Sequence, residues 1–273
     1  MKKIFLITVF AVLWNCSFSL NPSRTYSITP ADYGMNFEEL NIQTEDNLVL
    51  YGWLFKSNEP SSSKVMIMSA SGNGNMADLI EQASNFLSLG YNVITYDYRG
   101  YGKSSDFNIN KTFYIYAQFE KDVEAVLTHV KKYYSRFRAV HLYGAGIGAG
   151  LSLSIGANHP EVSKIIADSP YLDFESIQKI IKEKTGAELK LPLGYNKTLL
   201  EPKYAFDSKG GGITGILLIA GEKEEIYNPS YIREVAKLKS GVTTTYIVKG
   251  ATCENTFSIN KTKYFEEIKA FLK

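Results

Sequence analysis

The stretch His141-Leu142-Tyr143-Gly144-Ala145-Gly146-Ile147-Gly148-Ala149-Gly150 runs from an apolar, strand-like segment through a glycine-rich turn into a segment of helical spacing. Glycines at such a junction let the backbone turn tightly and let a helix pack closely on a strand. The hexad Gly144-Ala145-Gly146-Ile147-Gly148-Ala149 loosely matches a dinucleotide-binding turn, but it stands in mid-chain among motifs of another kind. Farther along, Glu222, Glu224 and Glu225 form a short acidic run, whose simplest reading is a solvated loop. The three histidines, His129, His141 and His159, all lie upstream of that run. Neither they nor the cysteines have metal-ligand spacing, and the carboxylates are scattered, so no metal or other cofactor is expected.

The glycine turn resembles the nucleophile elbow of the α/β-hydrolase superfamily, in its serine aminopeptidase S33 and esterase-like branch. Relatives read Gly-x-Ser-x-Gly there; Gly144 and Gly148 match, and Gly146 stands in the serine's place. The conformation an elbow demands costs an ordinary residue about 1–2 kcal/mol, which glycine escapes. The longest match is the run from Gly90 to Ser105, containing Asp97-Tyr98-Arg99-Gly100-Tyr101-Gly102. The resemblance implies that Asp97, Arg99 and Ser104 shape a turn through local hydrogen bonds and do not act on substrate. Ser71-Gly72-Asn73-Gly74-Asn75 falls where relatives carry the oxyanion-hole loop, with Ser71 replacing the usual histidine. The donors of an oxyanion hole are backbone N–H groups, so those of Asn73 and Ile147 are the candidates to survive.

The resemblance also places an acid at Glu224 and the general base at Cys253, in Lys249-Gly250-Ala251-Thr252-Cys253-Glu254-Asn255-Thr256-Phe257. The three triad-equivalent positions are thus Gly146, Glu224 and Cys253. The family order of serine, acid and histidine cannot be assembled here, because every histidine precedes the acid. Loss of nucleophile and base leaves at most about 10³–10⁴-fold catalysis over water. The expectation is a pseudoenzyme that binds a small acyl-type ligand or a protein partner. Two alternatives stand beside it: an active serine- or cysteine-type ester, thioester or peptide hydrolase with relocated groups drawn from Ser71, Ser169, Asp168 or Cys253, and a membrane-tethered interaction protein. The nineteen tyrosines suit that last reading if they are exposed.

The elements that must position these residues follow a βα rhythm. Strand-like runs are expected at 40–43, 48–55, 65–68, 93–96, 139–143, 164–167, 216–220 and 244–248, the first two forming a hairpin around Thr44-Glu45-Asp46-Asn47. Helical spacing covers 76–89, 114–134, 147–158, 230–239 and 261–272. Such alternation implies an α/β fold with a mostly parallel twisted sheet covered by helices on both faces. Residues 171–212 interrupt it with a helix at 174–184 and a Pro- and Gly-punctuated remainder, read as a short cap-like insertion over the site.

With 273 residues, 45% hydrophobic and 21% charged, and a net charge of +2, the chain has the composition of one globular domain, and no basic block points to nucleic acid. Lys2, Lys3 and an apolar run over 4–14 read as an export leader over 1–19, too short to span a bilayer. Leu13-Trp14-Asn15-Cys16 resembles a lipobox, with lipidation at Cys16, although Trp14 and Asn15 are larger than usual; ordinary cleavage after Ser19 is the alternative. The location expected is the cell envelope, as a lipoprotein or otherwise periplasmic or secreted. Residues 20–36 read as a tether and 37–273 as the domain. With Cys16 lipidated or removed, Cys253 is expected to be a free thiol. Three glycosylation-type triplets, at Asn110, Asn196 and Asn260, are short enough to arise by chance.

Overall fold

The computed structural model describes residues 20–273; the leader, the lipobox-like run, Cys16 and Ser19 lie outside the described residues. Eight strands make one sheet: β1 (Glu38–Gln43), β2 (Val49–Phe55), β3 (Lys64–Ser69), β4 (Asn92–Tyr96), β5 (Ala139–Ala145), β6 (Val162–Asp168), β7 (Gly215–Gly221) and β8 (Thr243–Val248). Their spatial order is β8-β7-β6-β5-β3-β4-β2-β1. β2 pairs antiparallel with β1 and with β4, and every other pair is parallel. Edge strand β1 alternates, with Leu40 and Ile42 inward and Glu39, Asn41 and Gln43 outward, whereas β7 is buried at every residue. The second pattern is what helices on both faces of a parallel sheet produce.

The helices are α1 (Ile80–Ser88), α2 (Phe119–Tyr133), α3 (Ile147–Asn158), α4 (Phe174–Thr185), α5 (Lys197–Leu200), α6 (Pro202–Ser208), α7 (Pro229–Ala236) and α8 (Lys261–Leu272). α3 is buried from Ile147 to Ala157, so it shows no polar face. It lies between the sheet and helices α5 and α6 of the 171–212 insertion. α2 starts five residues later than its spacing suggested, because the Tyr114 N–H is bonded to the Lys190 carbonyl at 3.0 Å and Tyr114 itself is buried. A side chain and an amide drawn elsewhere remove the first turn of that helix.

The turn after β4 is held as its residue types imply. Asp97 accepts from the Met76 N–H at 2.8 Å, and Ser104 Oγ donates to the Asp97 carbonyl at 2.7 Å while accepting from the Tyr51 N–H. Arg99, 1% exposed, bonds Asp122 on α2 through Nε at 2.8 Å and Asp46 in the β1–β2 turn through Nη1 at 2.7 Å. One guanidinium therefore ties three separate parts of the chain together, in the two-pronged geometry that suits carboxylates.

Residues 20–36, read as a tether from composition, are seated on the domain. Asn21–Pro22 pairs with Asn73–Gly74, Arg24 bonds Asp106, Ser104 O and Tyr101 O, and the Tyr26 hydroxyl donates to Asp97. Leu20 is 1% exposed. Composition missed this because the anchors are single polar groups meeting a preformed turn, with no hydrophobic period of their own.

Replacing Arg99 by Ala leaves Asp122 charged or half-satisfied in a site with no solvent access, and is expected to destabilise the fold by about 3–5 kcal/mol. Urea unfolding measures this; the double variant Arg99→Met/Asp122→Leu should recover most of the loss.

Candidate functional site

The sheet's carboxyl ends and the loops beyond them enclose a cavity of about 470 Å³, lined among others by Leu20, Ser71, Gln82, Gly146, Asp168, Cys253 and Thr256. Gly146 sits at the tip between β5 and α3 with φ 52° and ψ −120°, a backbone conformation that favours glycine. Its neighbours are equally constrained. A Cβ on Gly144 would lie 2.1 Å from the Gly148 carbonyl oxygen, and one on Gly148 would lie 2.5 Å from the Ser69 oxygen. A Cβ at Gly146 itself meets Ser71, its backbone oxygen at 3.1 Å and its Cβ at 3.3 Å, so a side chain there is strained but nearly fits. This is an elbow in shape, and it disposes of the dinucleotide reading: only the tip of the turn, Ala145 to Ile147, lines the cavity, with Gly144 and Gly148 packed behind it.

The other two aligned positions meet at the same place. Glu224, 6% exposed, follows β7, and its Oε2 accepts from the Cys253 N–H at 2.8 Å while Oε1 accepts from the Ile226 N–H at 3.0 Å. The solvated-loop reading fits Glu222 and Glu225, which are exposed, and fails for Glu224. Cys253 is disulfide-bonded, which corrects the expectation of a free thiol. Cys16 is outside the described residues.

Asn73 and Ile147 flank the elbow. Ile147 opens α3, where the first N–H groups have no partner within the helix. The Asn73 N–H is 3.4 Å from Ser71 Oγ, a long bond. The loop carrying Asn73 is fixed from two sides, the Gly72 carbonyl accepting from the Tyr101 hydroxyl at 2.9 Å and from the Asn21 N–H at 3.0 Å. Two backbone donors are thus held beside Gly146 by packing that needs no catalytic side chain.

No histidine lines the cavity. His141 is buried in β5 with burial pushing its pKa down to about 4, and Nδ1 meets Ser163 Oγ at 3.1 Å. His159, beyond α3, is held by Glu124 at 2.7 Å and by Glu161. The helices of residues 171–212 back the cavity wall through α3, and none of those residues lines it, so the insertion does not overhang the site as its position suggested.

The structure adds a buried carboxylate. Asp168, at the end of β6, accepts from Thr256 Oγ1 at 2.6 Å, Tyr264 OH at 2.8 Å and Ser169 Oγ at 3.0 Å. Burial pushes its pKa up to about 6, against the opposing pull of those three donors. Ser169 has φ 58°, rare for a residue with a side chain, and both residues line the cavity. The resemblance gave them no role, although both stand among the candidates for relocated groups; a further signal was Asp168-Ser169-Pro170 at a strand's carboxyl end, where proline forces the chain to leave the sheet. Chemically, the site can grip a carbonyl oxygen and surround it with hydroxyls and aromatic rings, but it offers no oxygen nucleophile at the elbow and no imidazole to activate one.

The sequence profile described as serine aminopeptidase, S33 matches residues 61–200. Among relatives, the membrane protein YNL320W of Saccharomyces cerevisiae is 28% identical over 222 residues, covering 78% of this chain and 72% of that protein. Protein bem46 of Schizosaccharomyces pombe is 27% identical over 160 residues, 57% of this chain and 51% of its own. The esterase Pf2001 of Pyrococcus furiosus superimposes with a TM-score of 0.72 at 20% identity, over 93% of this chain and 97% of the esterase. That likeness is one of fold.

Asp168 supplies a pH test. Its folded pKa, about 6, lies above the roughly 3.9 of an unfolded aspartate, so its stabilising contribution is complete below about pH 4 and is lost as pH rises through 6. Melting temperatures of wild type and Asp168→Asn, compared between pH 4 and 8, should show wild type losing ground to the variant across that window; a constant difference would mean that Asp168 titrates normally.

Proposed function

Because the chain belongs to the serine aminopeptidase S33 family of α/β-hydrolases, whose chemistry needs an elbow nucleophile and a histidine, we propose that it is a pseudo-hydrolase of the cell envelope whose vestigial pocket binds a ligand, a small acyl-type molecule or a segment of a protein partner. The observation that carries this reading is Gly146 in a fully formed elbow: the geometry is kept and the reacting atom is gone. Cys253 in the base position supports it, since a disulfide-bonded sulfur can neither accept a proton from a nucleophile nor attack. The flanking N–H groups of Asn73 and Ile147 and the aromatic walls Tyr114, Tyr143 and Tyr227 favour a carbonyl-bearing, partly apolar ligand. The leader-like start supports export and a lipid anchor, and the printed name of the yeast relative is that of a membrane protein. Intact mass of the mature chain tests the anchor: an added acyl mass is expected, and its absence would remove the lipid from this reading.

A second reading rests on one observation: Ser169 Oγ donates to Asp168 Oδ1 at 3.0 Å inside the cavity, on a strained backbone. A carboxylate whose pKa stands near 6 is a competent, if weak, base for a neighbouring hydroxyl.

Hydrolysis of short- and medium-chain esters separates the two. Wild type is expected to be inert, Gly146→Ser and Cys253→His each to add little, and the double variant to gain at least about a hundredfold, the scale of one acid–base group. Cys253→Ala controls for loss of the disulfide. Wild-type turnover that disappears in Ser169→Ala would replace the pseudo-hydrolase by the relocated enzyme.

A further inference from the structure

The cavity that holds the elbow has a charge of its own. Among the described residues it is lined by three carboxylates, Asp78, Asp168 and Glu254, and by no lysine, arginine or histidine. Asp168 is buried and bonded to Thr256, Tyr264 and Ser169. Asp78, in the helical turn Met76–Leu79 ahead of α1, and Glu254, in the loop after β8, are exposed and stand at the rim. Lys261, at the start of α8, is the cation joined to α1, but its Nζ is bound to Glu81 at 2.6 Å and does not line the cavity. A cleft lined by one sign of charge concentrates the opposite charge.

A second, independent feature gives those acids a direction. Gln82 stands on α1 four residues after Asp78, on the same side of the helical segment, and it also lines the cavity. It is 9% exposed, and its Oε1 is buried with no hydrogen-bond partner. Buried acceptors are bonded as a rule, and what this one lacks is an N–H or O–H donor. Tyr114, Tyr143, Tyr227 and Phe257 line the same space, and aromatic faces attract cations.

The site therefore makes two opposite demands. The N–H groups of Asn73 and Ile147 beside the elbow require an acceptor, which a carbonyl oxygen supplies. Gln82, Asp78 and Glu254 require a donor, and the two acids require that it be positive. A free carboxylate such as a fatty acid meets the first demand and is repelled under the second. We propose that the ligand is a cationic amide or ester, its acyl carbonyl held by the N–H groups of Asn73 and Ile147 and its protonated amine met by Gln82 Oε1 and the carboxylates of Asp78 and Glu254. This rests on the pocket reading proposed above and adds to it the charge of what fills the pocket.

Calorimetric titration of the full chain with three compounds that share one acyl group tests it: N-hexanoyl-1,4-diaminobutane, N-butylhexanamide and N-hexanoyl-4-aminobutanoate. At neutral pH they present a cation, no charge and an anion beyond the same amide. The cation is expected to bind at least about tenfold tighter than the neutral amide and the anion more weakly still, with the differences shrinking as salt is raised. In Asp78→Asn/Glu254→Gln, where both positions keep an acceptor and lose their charge, the cation should fall to within about twofold of the neutral amide, whose own affinity reports on the fold of the variant. Gln82→Met should weaken the cation more than the neutral amide. Neutral-amide binding with no preference for the cation, or a preference that neither variant changes, would overturn the cationic ligand and leave the pocket reading standing; no binding of any of the three would remove the acyl-ligand reading and this inference with it.

Discussion

The close approach of α3 to the sheet governs the rest of the molecule. Gly144 and Gly148 face each other across the elbow with no room for a side chain, and Gly148 lies under the carbonyls of Ser69 and Ala70 at the end of β3. That contact sets the height of α3's first turn over the strand ends. It consequently fixes where Gly146 points, where the Ile147 N–H lies and how near the Ser71–Asn73 loop can come. The last of these is tight, since a Cβ on Gly72 would lie 2.8 Å from Ile147 Cδ1. An elbow is thus a packing solution between a helix and two strands, and it stands whether or not residue 146 reacts.

Much of this was legible in the sequence. The strand–glycine–helix run, the Asp97 to Ser105 turn and the alternation of elements are local patterns, and local patterns survive into the fold. The aligned positions Glu224 and Cys253 proved to be neighbours, joined by a hydrogen bond from the Cys253 N–H. What sequence could not give were contacts set by tertiary packing. Asp168 gathers donors from residues 169, 256 and 264, and nothing in the chain near it announces that. The strap at 20–26 is of the same kind, since its pairing with Asn73–Gly74 and the bonds of Arg24 and Tyr26 join it to turns far along the chain. The truncated α2 shows propensity giving way to a single long-range pairing at Tyr114.

The site's polar groups divide by what they hold. Asp97, Arg99 and Asp122 lie under the turn and connect it to α2 and to the β1–β2 turn, and they do not line the cavity. Asp168 instead links the end of β6 to α8 and to the loop of Thr256, so the wall beside the elbow is fastened by a carboxylate at its base. Buried polar groups that are fully bonded specify one arrangement of loops, which is what a preformed pocket requires.

The persistence of an acid after β7 then has a cause apart from catalysis. In a triad, the carboxylate orients an imidazole; here Glu224 has no imidazole to orient, yet both of its oxygens accept backbone N–H groups, from Ile226 and Cys253. Replacing it by an apolar residue would strand two backbone donors, the part-buried one of Cys253 and the buried one of Ile226, the latter costing roughly 1–3 kcal/mol when left unmet. The nucleophile position carries no such debt. A serine hydroxyl at the elbow satisfies nothing in the backbone and strains it, so glycine at 146 is the easier occupant once chemistry is not required. The two aligned positions differ in outcome, one keeping its carboxylate and one losing its oxygen, because only the acid is also part of the fold's hydrogen bonding.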